Sequence, residues 1–127
     1  MSFLQNLLGN ATTASAQEYS PLISNLLIEN ESVFTAFKTV RDFIIFTNER
    51  LILIDVQGLT GKKKSFKSVP YSQISVFTKE NAGTFDFDSE INLYVRGYPT
   101  AIALKFGKSS NIDIVYQLLS DYVLKVS

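Results

Sequence analysis

Apolar and polar positions alternate along this chain with a spacing that changes from segment to segment. Phe43 to Phe46 is an unbroken apolar run, and Leu51 to Ile54 is another. Both are rich in aromatic and β-branched residues, which suits strands with little exposed surface. Thr47-Asn48-Glu49-Arg50 lies between them. Asn48 is a good turn residue, because its short amide tolerates positive φ and bonds its own backbone. The pattern therefore predicts a tight hairpin. Gly58-Leu59-Thr60-Gly61 supplies two glycines where the chain turns again, and Lys64 to Val69 reads as the next strand. Pro70 ends it or sits at an edge, since proline donates nothing to a ladder.

On either side of this centre the period changes. Phe3, Leu4, Leu7 and Leu8 share one face of a short N-terminal helix, too short to stand alone. Ser15-Ala16-Gln17-Glu18 fits the capping box and opens a second helix. Tyr19, Leu22, Ile23, Leu26 and Leu27 form its apolar face. Pro21 either kinks this helix or starts one capped by Ser20, and helix is expected over 21–28 in both cases. Glu29-Asn30-Glu31 is a polar break, followed by a strand over Ser32 to Val40. Further on, Ile74 to Lys79 is expected as a strand with Ile74 and Val76 on one side. Thr84 to Arg96 alternates with period 2: Phe85, Phe87, Ser89, Ile91, Leu93 and Val95 point one way, and Asp86, Asp88, Glu90, Asn92, Tyr94 and Arg96 the other. Thr100 to Phe106 is a last strand, with Ile102, Leu104 and Phe106 inward. Ile112, Val115, Leu118, Leu119, Tyr122, Val123 and Val126 recur at helical spacing and demand an apolar surface to cover. The expected architecture is mainly β (α+β): about seven antiparallel strands, curled into a small sheet or barrel whose open end the last helix plugs. Residues 1–28 form a helical extension and 29–127 the domain proper.

Composition narrows the chemistry. The 127 residues suit one domain and bury a core without metals or disulfides. Cysteine and histidine are both absent, which excludes disulfides, thiolate zinc sites and every triad built on histidine. No catalytic residue and no cofactor is assigned. Net charge is zero, which argues against binding nucleic acid over a large surface. No segment reaches the roughly 20 apolar residues of a membrane span, and the N-terminus lacks the pattern of a signal peptide. The expectation is a cytoplasmic protein, with peripheral contact at the inner membrane face left open.

Two charged groups stand out within the neutral total. Lys62, Lys63, Lys64 and Lys67 lie close together with no acid among them. They suit weak attraction to anionic lipid, and equally a solvated loop and an edge strand guarded by lysines. They do not match a phosphate loop, because the glycine spacing is wrong and neither Ser nor Thr follows Lys62. Asp86, Asp88 and Glu90 share one strand face, spaced about 6 to 7 Å apart, which is poor for a single metal ion. Opposite patches of this kind favour head-to-tail contacts, which close into rings when the rotation allows, but cross-strand pairing inside one subunit would satisfy them as well. Tyr71, Tyr94 and Tyr98 either line a groove or pack at the core and rim.

Beyond these patterns, RDFIIFTNERLILID at 41–55, QGLTGKKKSFKSVPYSQI at 57–74 and NAGTFDFDSEINLYV at 81–95 resemble the bacterial pleckstrin-homology family. The shared features are a TN-x-R hairpin, a QG-x-TGKK loop, a PY-x-x-I junction and a TFD-x-D strand, over roughly 30–127. The resemblance implies a split, partly open barrel with a C-terminal helix, self-association into rings, and no established enzyme chemistry. It does not bring phosphoinositide recognition with it. The first hairpin offers only Lys38 and Arg41, and the lysine cluster sits two strands later. The expected partner is a second copy of the chain, with Phe3, Leu4, Leu7 and Leu8 as an apolar contact and Asp86, Asp88 and Glu90 as an acidic one. The alternative is an anionic membrane surface met by the four lysines.

Overall fold

A computed structural model of the chain describes residues 14–39, 42–80, 89–107 and 112–125. The described residues form two compact units, divided between Pro70 and Tyr71.

The first unit contains helix α1 (Ala16–Ile23) and strands β1 (Val33–Lys38), β2 (Phe43–Thr47), β3 (Arg50–Gln57) and β4 (Lys63–Pro70). The strands form one antiparallel sheet in sequence order, so β1 and β4 are its edges. The capping box at the start of α1 is present: the Ser15 backbone N–H donates to Glu18 Oε1 at 3.1 Å. Pro21 lies inside the helix, which nevertheless stops at Ile23. The helix expected over 21–28 therefore covers only 21–23. Ile23 is buried to 1% exposure, while Leu26 and Ile28 are exposed. Ala14 and Ile23, with Tyr19, Leu22 and Leu27, pack on Ala36, Phe43, Ile45, Ile52 and Ile54 of the sheet. The opposite sheet face, with Phe37, Ile44, Phe46, Leu51, Leu53 and Val69, is also buried. Burial on both faces is why β2 reads as an unbroken apolar run, since all five of its residues are buried.

The second unit contains a single 3-10 turn (Tyr71–Gln73), strands β5 (Ile74–Glu80), β6 (Ser89–Val95) and β7 (Ile102–Phe106), and helix α2 (Ile112–Leu124). Its strands form a separate antiparallel sheet in the order β5-β6-β7. Helix α2 lies on β6 and the 3-10 turn, burying Ile112, Val115, Leu118 and Leu119. Tyr116 donates its hydroxyl to Phe77 O at 3.2 Å and packs on the Phe77 ring, and Tyr71 stacks on Tyr122 with centroids 4.7 Å apart. The Tyr71–Tyr122 stack puts Tyr71 in the core rather than in a groove. Burial and the Asp121 charge push the Tyr122 hydroxyl above its ordinary pKa.

Seven antiparallel strands and a C-terminal amphipathic helix match the expected order. Closure does not. The described strands fall into sheets of four and three and make no closed barrel, so the plugged barrel is replaced by two sheets, each with its own helix. Pro70 ends β4 without an N–H to donate, and the 3-10 turn that follows stops any ladder from β4 into β5. Strand β5 departs from expectation too. Register slips between Ile74 and Val76, so Ile74 is buried while Val76 is half exposed. A bulge at Ser75 breaks the period-2 rule there, turning Val76 outward. On β6, Ile91 and Leu93 are buried as predicted. Positions 84–88 of that predicted strand, and the helix expected at Phe3 to Leu8, lie outside the described residues. Among the described residues, no helix is long and apolar enough to cross a membrane.

Candidate functional site

The four lysines fall at one corner of the first sheet. Lys62 ends the β3–β4 connection, and Lys63, Lys64 and Lys67 lie on the edge strand β4. Alternation along a strand puts Lys63 and Lys67 on one face and Lys64 on the other. Lys64 Nζ donates to Gly61 O at 3.0 Å. Lys62 and Lys63 are exposed and have no acidic partner within ion-pair distance among the described residues. Phe66, opposite Ile54 in the ladder, is also exposed.

The acidic group is met only in part, since Asp86 and Asp88 lie outside the described residues. Glu90 stands directly across from Glu80 on β5 and from Lys105 on β7. The Asn92 amide donates to Glu90 Oε2 at 2.8 Å and to Glu80 Oε2 at 3.3 Å. Asn92 was expected to face outward as an exposed residue. It is buried, and these two carboxylates accept hydrogen bonds from its amide. Toward the other end of the same sheet face, Val76 lies across from Tyr94, both well exposed. This face therefore runs from an apolar end to an acidic end.

Strand pairing answers whether the two charged groups neutralise each other across a ladder. Strand β4 pairs with β3, and β6 pairs with β5 and β7. The lysines are not cross-strand neighbours of Glu80 or Glu90. The first hairpin offers still less: Lys38 is engaged by Glu18 at 3.3 Å, and Arg41 lies outside the described residues.

The most elaborate polar arrangement is one that sequence reasoning assigned to a simple turn and a polar break. Glu31 has a fully buried carboxylate. Arg50 grips it with two prongs, Nε to Oε2 at 2.9 Å and Nη2 to Oε1 at 2.8 Å. The Thr47 hydroxyl donates to Oε2 at 2.7 Å, and the Ile28 N–H donates to Oε1 at 3.0 Å. Arg50 also donates to Leu26 O and to Ser68 Oγ, at 2.6 and 3.0 Å. Arg50, against the cost of burial, holds the Glu31 carboxyl down at about 2. Asn48 does not take positive φ, although it sits in the turn; that backbone belongs to Asn30, at φ 67°. The Asn48 side chain accepts from the Ser32 N–H at 2.8 Å and donates to Asn30 O at 2.9 Å. The network ties the segment 26–32 to the hairpin. It has no open donor or acceptor aimed at a ligand: among the described residues, every buried side-chain polar atom has a partner. The hairpin Arg50 was the one sequence signal available, and nothing local to it marks Glu31 as its partner.

Comparison with known proteins adds a family. Residues 2–123 match the model described as Bacterial PH domain. The chain is similar to Uncharacterized protein YjqA of Bacillus subtilis (strain 168), 45% identical over 121 residues, covering 94% of this chain and 97% of that one. A second relative from the same strain, Uncharacterized protein YozO, is 33% identical over 98 residues, covering 77% and 83%. Among solved structures, a pleckstrin homology domain from Shewanella amazonensis SB2B superposes with a TM-score of 0.80 at 38% identity, covering 95% of this chain and 98% of that one. A DUF1696 family protein with a pleckstrin-homology domain, from Shewanella loihica PV-4, gives 0.73 at 36% identity, covering 90% and 97%.

Proposed function

This chain belongs to the bacterial PH domain family, and from that premise we propose that it is a non-enzymatic, cytoplasmic scaffold that assembles head to tail into a homo-oligomeric ring. The observation that carries the reading is the separation of its charges onto two surfaces that share no ladder. Lys63, Lys64 and Lys67 occupy β4, an outermost strand, while Glu80 and Glu90 sit side by side on the β5–β6 face, continuous with the exposed Val76 and Tyr94. Within the subunit this pair is met by the Asn92 amide and by one cation across the ladder, Lys105, so two carboxylates share a single lysine and the patch stays net negative. A basic strand of the next copy, carrying Lys64 and Phe66 on one face, balances that charge and covers the apolar end. Asp86 and Asp88 extend the acidic surface in this reading, and Phe3, Leu4, Leu7 and Leu8 supply an apolar contact to a neighbour. Such a contact is heterologous, so repetition through a closing rotation makes a ring.

Light scattering on the full chain tests this. A discrete oligomer that weakens as salt rises is expected. Lys64→Glu should reduce the mass to that of one protomer, and adding Glu80→Lys with Glu90→Lys should restore the oligomer. An oligomer indifferent to salt and to these changes would move the interface to the N-terminal apolar residues. A monomer at every salt concentration would end the ring reading.

A further inference from the structure

Strand β3 ends at Gln57 and β4 begins at Lys63, so residues 58–62 connect them. Gly58 and Gly61 have φ of 79° and 70°, left-handed values that glycine adopts without steric cost. The Gly61 N–H reaches back to Gly58 O at 3.4 Å and closes a turn with Leu59 and Thr60 at its tip. Leu59 is completely exposed. Two glycines are thus placed to hold a large aliphatic side chain out in water, where it contributes nothing to the core. Three exposed lysines follow immediately: Lys62, Lys63 and Lys64. Asp55 on β3 and Asp42 just before β2 are already engaged. Asp55 accepts from the Gln57 amide at 3.0 Å, and Asp42 accepts from the Val56 N–H at 2.9 Å.

We propose that this turn is a membrane-contact finger. Leu59 enters the interfacial layer of an anionic phospholipid bilayer, and Lys62 and Lys63 meet the phosphates around it. The choice of occupant follows from the chemistry. A bilayer presents an apolar layer directly beneath a negative one, matching an apolar tip backed by cations. A free phosphate ligand needs donors that converge, and here Lys63 and Lys64 point to opposite faces of β4. No headgroup pocket is required.

Each finger binds weakly. A lysine near an anionic surface strengthens binding about fivefold, and a leucine withdrawn from water adds roughly tenfold. The gain from repetition rests on the ring reading: cyclic symmetry turns every finger toward the same side, so one flat membrane engages them together.

The test is co-sedimentation of the full chain with phosphatidylcholine vesicles, with and without phosphatidylglycerol. Binding should require phosphatidylglycerol and fall as salt rises. Leu59→Ser should weaken it about tenfold while leaving its salt dependence in place, and Lys62→Gln with Lys63→Gln should remove the salt-dependent part. Light scattering and thermal melting of the same variants should match the parent chain. Absence of binding to phosphatidylglycerol vesicles overturns the inference, as does Leu59→Ser binding as tightly as the parent. A change of oligomeric mass in Leu59→Ser also overturns it, by assigning the finger to a subunit interface. A monomeric parent whose weak binding depends on Leu59 keeps the finger and removes only the gain from repetition.

Discussion

Strand β3 begins and ends in opposite circumstances. At its start, Arg50 is locked to Glu31, Leu26 and Ser68, and Thr47 and Asn48 hold the neighbouring loop. At its end, the chain runs into a turn whose tip residue, Leu59, is completely exposed and is followed by exposed lysines. Both ends are polar connections between apolar strands, and composition barely separates them. The difference lies in satisfaction. Where every buried donor and acceptor has a partner, the polar group has a structural role and substitution costs folding stability. Where Lys62, Lys63 and Leu59 are exposed and, among the described residues, the two cations have no acidic partner, substitution costs folding little, and the group is available for a partner.

The largest effect should come from breaking the closed end. Arg50→Ala removes both prongs from a buried carboxylate and leaves that charge unpaired. Such losses cost about 3 to 4 kcal/mol, so chemical denaturation should show a clear drop in midpoint. An unchanged midpoint would show that water satisfies Glu31 as well as Arg50 does, and the contrast between the two ends would fail.

Acid probes the same network without mutation. The Glu31 pKa is depressed in the folded state, to about 2 from an ordinary value of 4.5. Its contribution is therefore complete above the ordinary carboxylate range and is lost as pH falls from about 4.5 toward 2. A shift of this size corresponds to a few kcal/mol at most, roughly 3. Glu31→Gln should flatten this part of the stability–pH curve. If the curve keeps its slope in that variant, other carboxylates dominate acid unfolding.

The smallest effect belongs to the open end. Leu59→Ser should change stability by less than about 0.5 kcal/mol, since an exposed residue in a turn has no packing to lose. A destabilisation well above that would place Leu59 in a contact and erase the distinction between the two ends of β3.

What could be read directly from the chain was local. The unbroken apolar runs of β2 and β3, the capping box at Ser15, the glycines at 58 and 61 and the helical spacing from Ile112 to Leu119 each depend on residues within a few positions of one another. Local sterics and periodicity decide them, and the structure agrees. The motifs also led to the right family. The remainder depended on pairing at long sequence separation. Glu31 lies 19 residues from Arg50, and only folding brings them together. Helix α1 stops at Ile23, although the apolar pattern continues to Leu27, which reaches the same core from outside the helix. The slip at Ser75 turns Val76 outward, and Pro70 with the 3-10 turn parts the strands into two sheets. Sequence alone showed a lysine cluster and an acidic strand but left open whether they pair with each other. Strand order decided that for Glu90, which pairs with β5 and β7, because a ladder neighbour is set by the register of the whole sheet and not by the residues that happen to carry the charge.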